Sequence, residues 1–446
     1  MAPSTPLNVI TPDRPMVIVI VGGSNTGLMI GIVLKRLGHT VYIMEQSGQS
    51  ERSDLAAGIT THPEFDEFMA LHDDVEGEWC LKSSGLQFLD KAGAVTREVN
   101  RPLKMTSWGV IYHRLRANFD GLASSFCPNP PAARETDGTA TLLLGCRIDQ
   151  MTDTGLAIKV PFVEEPGKGG TILGADMVIL ADGANSTLRS QIFPEVERVY
   201  AGYVAFRGTV LEADLSEETK NTFLKLTYFC FKDNYILLYI IPGADGSLEV
   251  GHRRYNWVWY HPIAANSPDF TEMMTDTSGN VHRNTLPAGS MNLNAWAKYK
   301  SMASSDMCAA FAEVVDKTTQ PFVTAISDLA CPRAIAMGGR MLITGECLNL
   351  VRPHMALSTT ASAKQALLLE KVFRGQISIE QWEKQVLYEG KIDKLKTNAL
   401  GMYLLYGTFS AVGWAAKLVA AMIGGILPFS SSSLPPIPAV KQLGHI

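Results

Sequence analysis

A chain of 446 residues, 46% hydrophobic and 19% charged, can bury two hydrophobic cores, and its formal net charge of −5 leaves no basic footprint for nucleic acid. The cysteines at positions 80, 127, 146, 230, 308, 331 and 347 are odd in number and show no Cys-x-x-Cys spacing, so neither a disulfide framework nor a zinc site is suggested and reduced thiols in a cytosolic setting are expected; the nine histidines show no metal spacing either. Residues 1–16 carry Pro3, Pro6, Pro12 and Pro15 and no apolar core, so a loose arm is expected there and a secretory signal is not.

The first predicted element is an uninterrupted apolar run, VIVIV at 17–21, as a strand buried on both faces of a parallel sheet requires. Gly22 and Gly23 then turn the chain into a helical pattern over 27–37. Glycines at that place let a backbone approach a pyrophosphate, whose charge the free N–H groups and the helix dipole stabilise. Ser24 stands where the second glycine of G-x-G-x-x-G is expected, so the fingerprint is degraded although its position after a strand is right. A second strand over 41–44 ends in Glu45, placed to accept hydrogen bonds from a ribose. The alternative is any tight strand-to-helix turn of an α/β protein. Further along, 176–181 reads as another buried strand that leads into Asp182-Gly183, with Ser186 and Arg189 opening a helix; its plain alternative is an Asp-Gly turn in an ordinary loop. Residues 223–231 and 235–241 are β-type runs, and 262–287, rich in Ser, Thr, Asn and Pro, reads as a long irregular excursion. A strand over 340–344 precedes the segment GECLNLVRPH at 345–354.

Taken together, VIVIVGGSNTG at 17–27, the ADGANSTLR segment at 181–189 and GECLNLVRPH at 345–354 resemble, in order and separation, the FAD-dependent aromatic hydroxylases, the single-component flavin monooxygenases. The loop Arg352-Pro353-His354, with YVAFRG at 203–208, YIIPG at 239–243, RYNWVWY at 254–260 and TSWGVIY at 106–112, is similar to the 2,6-dihydroxypyridine 3-monooxygenase branch of that family over about residues 16–395. The resemblance implies an α/β fold: a Rossmann-like FAD-binding domain from 14–75, 105–197 and 323–375, a second, mainly β-sheet substrate domain from 76–104 and 198–322, and a helical C-terminal region over 376–446. It implies non-covalent FAD held by Gly22, Gly23, Ser24, Thr26, Gly27, Glu45, Gly58, Asp182, Gly183, Gly345, Glu346, Pro353, Ala356, Ser358 and Thr359. Where relatives have an arginine near the pyrophosphate this chain has Trp108, so Arg116 or Arg189 would neutralise the phosphates. Arg207 and His354 are the residues implied near the ring system and the substrate. Arg207 could instead make a salt bridge between domains, and His354 could simply pack the loop.

The implied reaction takes NAD(P)H and O₂ and, through a flavin C4a-hydroperoxide, hydroxylates or epoxidises an electron-rich cyclic or aromatic organic substrate. In such enzymes the cofactor carries the difficult chemistry and the protein binds, orients and excludes water. The third segment departs from the family: Glu346 replaces an aspartate, Asn349 replaces a frequent histidine, and Ala356, Ser358 and Thr359 stand where glycine or another small residue is usual. Crowding of the flavin loop by Ser358 and Thr359 is therefore expected, and a scaffold that has lost its redox chemistry and acts as a cyclase or isomerase is the competing class.

The tail is free of charge over 398–416, and apolar character resumes after Lys417 up to 429, ahead of four serines at 430–433 and Pro435-Pro436. The length is close to the roughly 20 residues that span a bilayer. Two readings stand: a helical hairpin that covers the flavin domain or a homodimer contact, and attachment through 398–429 to the cytosolic face of a membrane.

Overall fold

The computed structural model describes residues 10, 14–48, 58–163, 170–426 and 442–443. Most of the N-terminal arm, the end of the apolar tail at 427–429 and the serine-proline run fall outside these residues.

Three sheets organise the described residues. The first is built from strands in the order Ile335–Ala336, Met341–Ile343, Met177–Leu180, Val17–Val21, Thr40–Glu45 and Ala140–Leu144, all parallel except the first pair. Its central strands are apolar on both faces because both are covered, with the helix Asn25–Arg36 and residues Ile158, Val160 and Ala175 of a small antiparallel sheet in the same core: Ile18, Val19, Ile20, Val178, Ile179 and Leu342 are fully buried, as are Leu28, Met29 and Ile32 of that helix. The helix Ser358–Phe373 packs on that first helix and contributes Ala363, Ala366 and Leu369 to the same core.

The second, large sheet runs Thr285–Leu286, Phe322–Ala330, Val199–Leu211, Arg254–Pro262, Asn234–Ile241, Leu226–Phe231, Leu81–Leu89, Val95–Ser107 and Gly58–Thr61. Strict alternation gives it two different faces. Val204, Phe206, Trp257 and Trp259 pack against the helices Leu293–Asp306 and Ala309–Asp316. Tyr203, Ala205, Leu237, Val258 and Tyr260 face the opposite way, toward a long C-terminal helix. Strands Gly58–Thr61 and Phe322–Ala330 join this sheet, although they lie in or overlap segments assigned to the cofactor domain from the sequence. A small third sheet contains Met151–Asp153, Ile158–Phe162, Thr171–Ala175 and Gln442–Leu443. Within 262–287, expected to be irregular, the chain forms the short helix Pro268–Met273 and the strand Thr285–Leu286.

The C-terminal region is a helical hairpin. A capping box made by Ser378 and Gln381 starts the helix Ile379–Tyr406, Gly407 at φ 81° ends it, and the helix Thr408–Ile426 folds back along it. The uncharged run 398–416 thus divides. Asn398 is fully buried and Leu404 and Leu405 belong to the core under the large sheet, whereas Phe409 is 96% exposed and Val412, Val419 and Ile423 are exposed with it. Thr408–Gly425 is long and apolar enough to cross a membrane, and none of it is buried inside the protein.

Candidate functional site

A cavity of about 510 Å³ opens at the C-terminal ends of the parallel strands. Register explains why three distant segments meet there: Val21 pairs with both Leu180 and Met44, and Leu180 pairs with Ile343, so Gly22, Glu45, Asp182 and Gly345 emerge along one edge. Gly22 has φ 108°, and a Cβ there would sit 2.4 Å from the Ala181 carbonyl oxygen, so the turn tolerates no side chain. A Cβ at Gly27 would likewise lie 2.0 Å from the Gly22 carbonyl oxygen. Neither Gly23 nor Gly27 lines the cavity; they shape the turn that presents Gly22, Ser24 and Thr26 to it. Glu45 is fixed by backbone donors, with Oε2 accepting from the Gly23 N–H at 2.8 Å and Oε1 from the Ser47 N–H at 2.9 Å. Asp182 and Gly183 form the opposite wall.

The cavity fits a dinucleotide. Buried oxygens of two lining residues, Asp182 Oδ1 and Asn25 Oδ1, have no hydrogen-bond partner in the protein, a costly state that a ligand donor would relieve. Desolvation raises the Asp182 carboxyl above the usual carboxylate range. The first helix directs its N-terminus at this space, and Trp108 lines it.

The two arginines expected at the phosphates are elsewhere. Arg116 is buried against Asp120, at 2.8 Å, and donates to the Tyr112 hydroxyl at 2.9 Å; Arg189 donates to the Ala184 carbonyl at 2.9 Å. Neither lines the cavity: Arg116 is engaged within its own helix, and Arg189 donates within its own turn while its buried Nε has no partner in the protein. A cation that sequence reasoning missed does line it: Arg147, exposed and 2.8 Å from Asp149, just beyond the edge strand Ala140–Leu144. Its only sequence signal is a basic residue past the C-terminal end of a short apolar run.

The third segment closes the far side. Gly345 has φ 59°, its N–H donates to Gln365 Oε1 at 2.7 Å, and a Cβ there would meet Thr26 Oγ1 at 2.6 Å. Thr26 Oγ1 is in turn 2.7 Å from Ser362 Oγ, which ties the first helix to the helix Ser358–Phe373. Glu346 projects into the junction between this cavity and a second one, exposed to the cavity rather than to the outer surface. The enclosed position raises its carboxyl above the usual range, opposed by Arg198 and Arg207. Ser358 and Thr359 are the first two residues of a regular helix, so they adopt helical backbone and need no glycine; the left-handed residue is Ala356, at φ 52°. The residue whose backbone favours glycine is thus Ala356, while Ser358 and Thr359 still line the cavity. Leu357, which precedes the helix, makes no side-chain cap.

The second cavity, about 640 Å³, lies between the large sheet, the 353–359 loop and the helical hairpin. Phe88, Leu226, Tyr228, Leu237, Tyr239, Val258 and Tyr260 form its apolar side, and Leu400, Tyr403, Leu404 and Leu418 of the hairpin cover it. Sequence reasoning missed these residues, because a tyrosine on a strand reads the same whether it faces core or cavity. Gly58 and Pro353 line it too, and the Gly58 N–H donates to Asn256 Oδ1 at 3.2 Å. Arg207 lines it, and among the described residues its buried Nε has no partner and its guanidinium makes no salt bridge. His354 is held within the protein. Tyr203 Oη lies 2.6 Å from its Nε2, and the Tyr235 hydroxyl engages its Nδ1. Burial, with Arg352 nearby, pushes its pKa down to about 3, so the ring is neutral. Arg352 is paired with Asp328 at 2.8 Å and stands over the rings of Tyr203 and Trp414, which fastens the loop to the large sheet and the hairpin.

A family model described as FAD binding domain-like matches residues 200–328. The chain is 29% identical over 411 residues to 2,6-dihydroxypyridine 3-monooxygenase of Paenarthrobacter nicotinovorans, covering 89% of this chain and 93% of that protein. It is 27% identical over 207 residues to hispidin-3-hydroxylase of Neonothopanus nambi, covering 44% of this chain and 45% of that protein. The solved structure of 2,6-dihydroxypyridine-3-hydroxylase from Arthrobacter nicotinovorans superposes with a TM-score of 0.75 at 26% identity, over 88% of this chain and 94% of that one. A Klebsiella pneumoniae HpxO structure with FAD and uric acid shares the fold, with a TM-score of 0.65 at 16% identity over 94% and 97% of the two chains. An extended dinucleotide cleft at strand ends, joined to an apolar cavity lined by a large sheet, agrees with these likenesses: in sequence and fold the chain resembles the FAD-dependent aromatic hydroxylases, the single-component flavin monooxygenases.

Proposed function

We propose that this flavoprotein uses NAD(P)H and O₂ to insert one oxygen atom into an electron-rich cyclic or aromatic molecule, by hydroxylation or epoxidation. The observation that carries this reading is the continuity of the two cavities at Glu346, Ser358 and Thr359, which line both and so bring a dinucleotide's far end to the inner end of an apolar chamber. When bound, reduced FAD supplies the electrons that divide O₂ into one oxygen for the substrate and one for water. The chain's own residues do the rest. Gly22, Ser24, Thr26 and the first helix N-terminus receive the pyrophosphate, Glu45 the ribose, and Asp182 Oδ1 a hydroxyl or N–H of the cofactor.

The N-terminus of the helix Ser358–Phe373, with Ser358 and Thr359 in both cavities, stabilises negative charge on the ring. Arg207 faces the same chamber, and its charge already opposes the rise in the Tyr239 and Tyr260 hydroxyl pKa values. The same field favours a substrate phenolate or enolate. Tyr228, Leu237 and Val258 keep water from the reacting carbon. His354, with both ring nitrogens engaged, acts as a positioning residue for the loop. Attachment of the outer face of Thr408–Ile426 to a membrane belongs to the same proposal, supported by its exposed apolar side chains.

The test is NAD(P)H oxidation by FAD-loaded protein with and without an electron-rich aromatic substrate. Oxidation accelerated by substrate is the expected result; substrate conversion at the same rate without NAD(P)H would favour the cyclase or isomerase class.

A further inference from the structure

The floor of the second cavity is one row of the large sheet. Arg97 pairs with Phe88, Phe88 with Tyr228, Tyr228 with Leu237, Leu237 with Val258, and Val258 with Arg207, and all six residues line the cavity. Directly paired side chains share a face, so an aromatic and aliphatic floor carries a guanidinium at each end. With strands about 4.8 Å apart, the end Cα atoms are separated by roughly 24 Å.

The two ends differ. Arg207 lies by Glu346 at the inner end, and Glu346 is the sole carboxylate among the described residues that line the cavity. Arg97 is exposed at the mouth with its guanidinium 5.6 Å from the Phe88 ring centre, and Arg101 follows on the same face of the same strand. Among the described residues neither is paired with a carboxylate. Arg101 is nonetheless held. His62 Nε2 lies 2.9 Å from the Met355 carbonyl oxygen, which only accepts, so Nε2 donates there, and Nδ1 accepts from Arg101 at 3.4 Å. The mouth cation is thereby braced against the loop at the inner end of the cavity.

Resting on the monooxygenase reading of this cavity, we propose that Arg97 and Arg101 form an anion subsite, and that the substrate is an elongated, largely apolar molecule with a carboxylate or comparably acidic group at the end remote from its electron-rich ring. Two uncompensated guanidinium groups at the entrance of an apolar chamber steer such a molecule in and fix its polar end, and the floor leads its ring toward Arg207.

The experiment is calorimetric titration of the FAD-loaded full chain, at low ionic strength, with an octanoate bearing a resorcinol ring at its far end and with the primary amide of that acid. The acid is expected to bind at least about tenfold more tightly than the amide, the scale of a charge-assisted hydrogen bond. In the double variant Arg97→Gln, Arg101→Gln that preference should vanish while amide affinity stays unchanged; both side chains are exposed, so folding is preserved. Equal binding of acid and amide to the wild type, binding of neither, or an acid preference that survives in the double variant would overturn the inference. Because binding rather than turnover is read, a protein that prefers the acid yet transfers no oxygen keeps the subsite and loses the proposed reaction. One that oxygenates a substrate but binds both probes alike keeps the reaction and loses the subsite.

Discussion

Ala356 carries the strain that the sequence pattern assigns to its neighbours. An L-residue in the left-handed region costs roughly 1–2 kcal/mol, and glycine relieves most of that at the expense of chain entropy. Ala356→Gly is therefore predicted to stabilise the protein by about 0.5–1 kcal/mol in urea unfolding. Ser358→Gly and Thr359→Gly, in the first turn of a helix, should each destabilise by a similar amount, about 0.5–1 kcal/mol. The opposite ordering would mean that the helical backbone of Ser358 and Thr359 is itself under strain.

His354 makes a pH-dependent prediction. Its pKa is about 3 in the folded chain and near the ordinary 6.5 when unfolded, so between those values the unfolded state binds a proton that the folded state refuses. Stability then rises with pH across that window and is lost as pH falls below 6.5, by roughly 2 kcal/mol at pH 5. His261, pushed down to about 4 by burial, acts in the same direction. Melting temperature measured from pH 7 to pH 5 should fall less in His354→Gln than in the wild type; parallel curves would show that His354 titrates normally. Gly401 belongs to the same arrangement, since a Cβ there would meet His354 Nε2 at 2.2 Å.

Among the elements, the C-terminal hairpin departs furthest from what hydropathy alone suggests. The uncharged run over 398–416 reads as one apolar segment, but a helix that covers a sheet and a helix that faces outward are equally free of charge. Only tertiary contacts separate Asn398, Leu404 and Leu405, which are buried, from Phe409 and Val412, which are not. The segment up to Tyr406 is part of the folded body. Truncation before Asn398 should give insoluble protein or loss of FAD, because it uncovers Leu404, Leu405 and Gly401 contacts beneath the large sheet. Truncation at Gly407 should raise solubility and retain FAD while weakening substrate binding, since Leu418 leaves the cavity wall and Trp414 leaves Arg352. Sedimentation and flavin content of the two products check this; equal behaviour would join the second helix to the core or detach the first from it. By contrast, the strand over 17–21 with Gly22, the Glu45 strand and the Asp182 turn were legible from sequence, because buried parallel strands and forced glycines leave local signatures. Arg147 and the cavity tyrosines were not, because facing a cavity is a property of the assembled sheet.

At the scale of the whole molecule, a parallel sheet gathers three distant segments into a cofactor cleft, and a large sheet roofed by a helical hairpin adds an apolar chamber to its far end. The α/β class and the likeness to flavin enzymes were readable because the three segments keep their order and spacing. The misplacement of Arg116 and Arg189 has a simple cause: each finds a partner within a few residues of itself, a choice that motif spacing does not encode. We propose that this joined pair of cavities transfers an oxygen atom from O₂ to an organic substrate. It is tested most directly by turnover under ¹⁸O₂ with NAD(P)H, followed by mass spectrometry of the product. One labelled oxygen atom per product molecule, with none acquired from labelled water, is the predicted result; product formed without label, or at an undiminished rate in the absence of O₂, would contradict it.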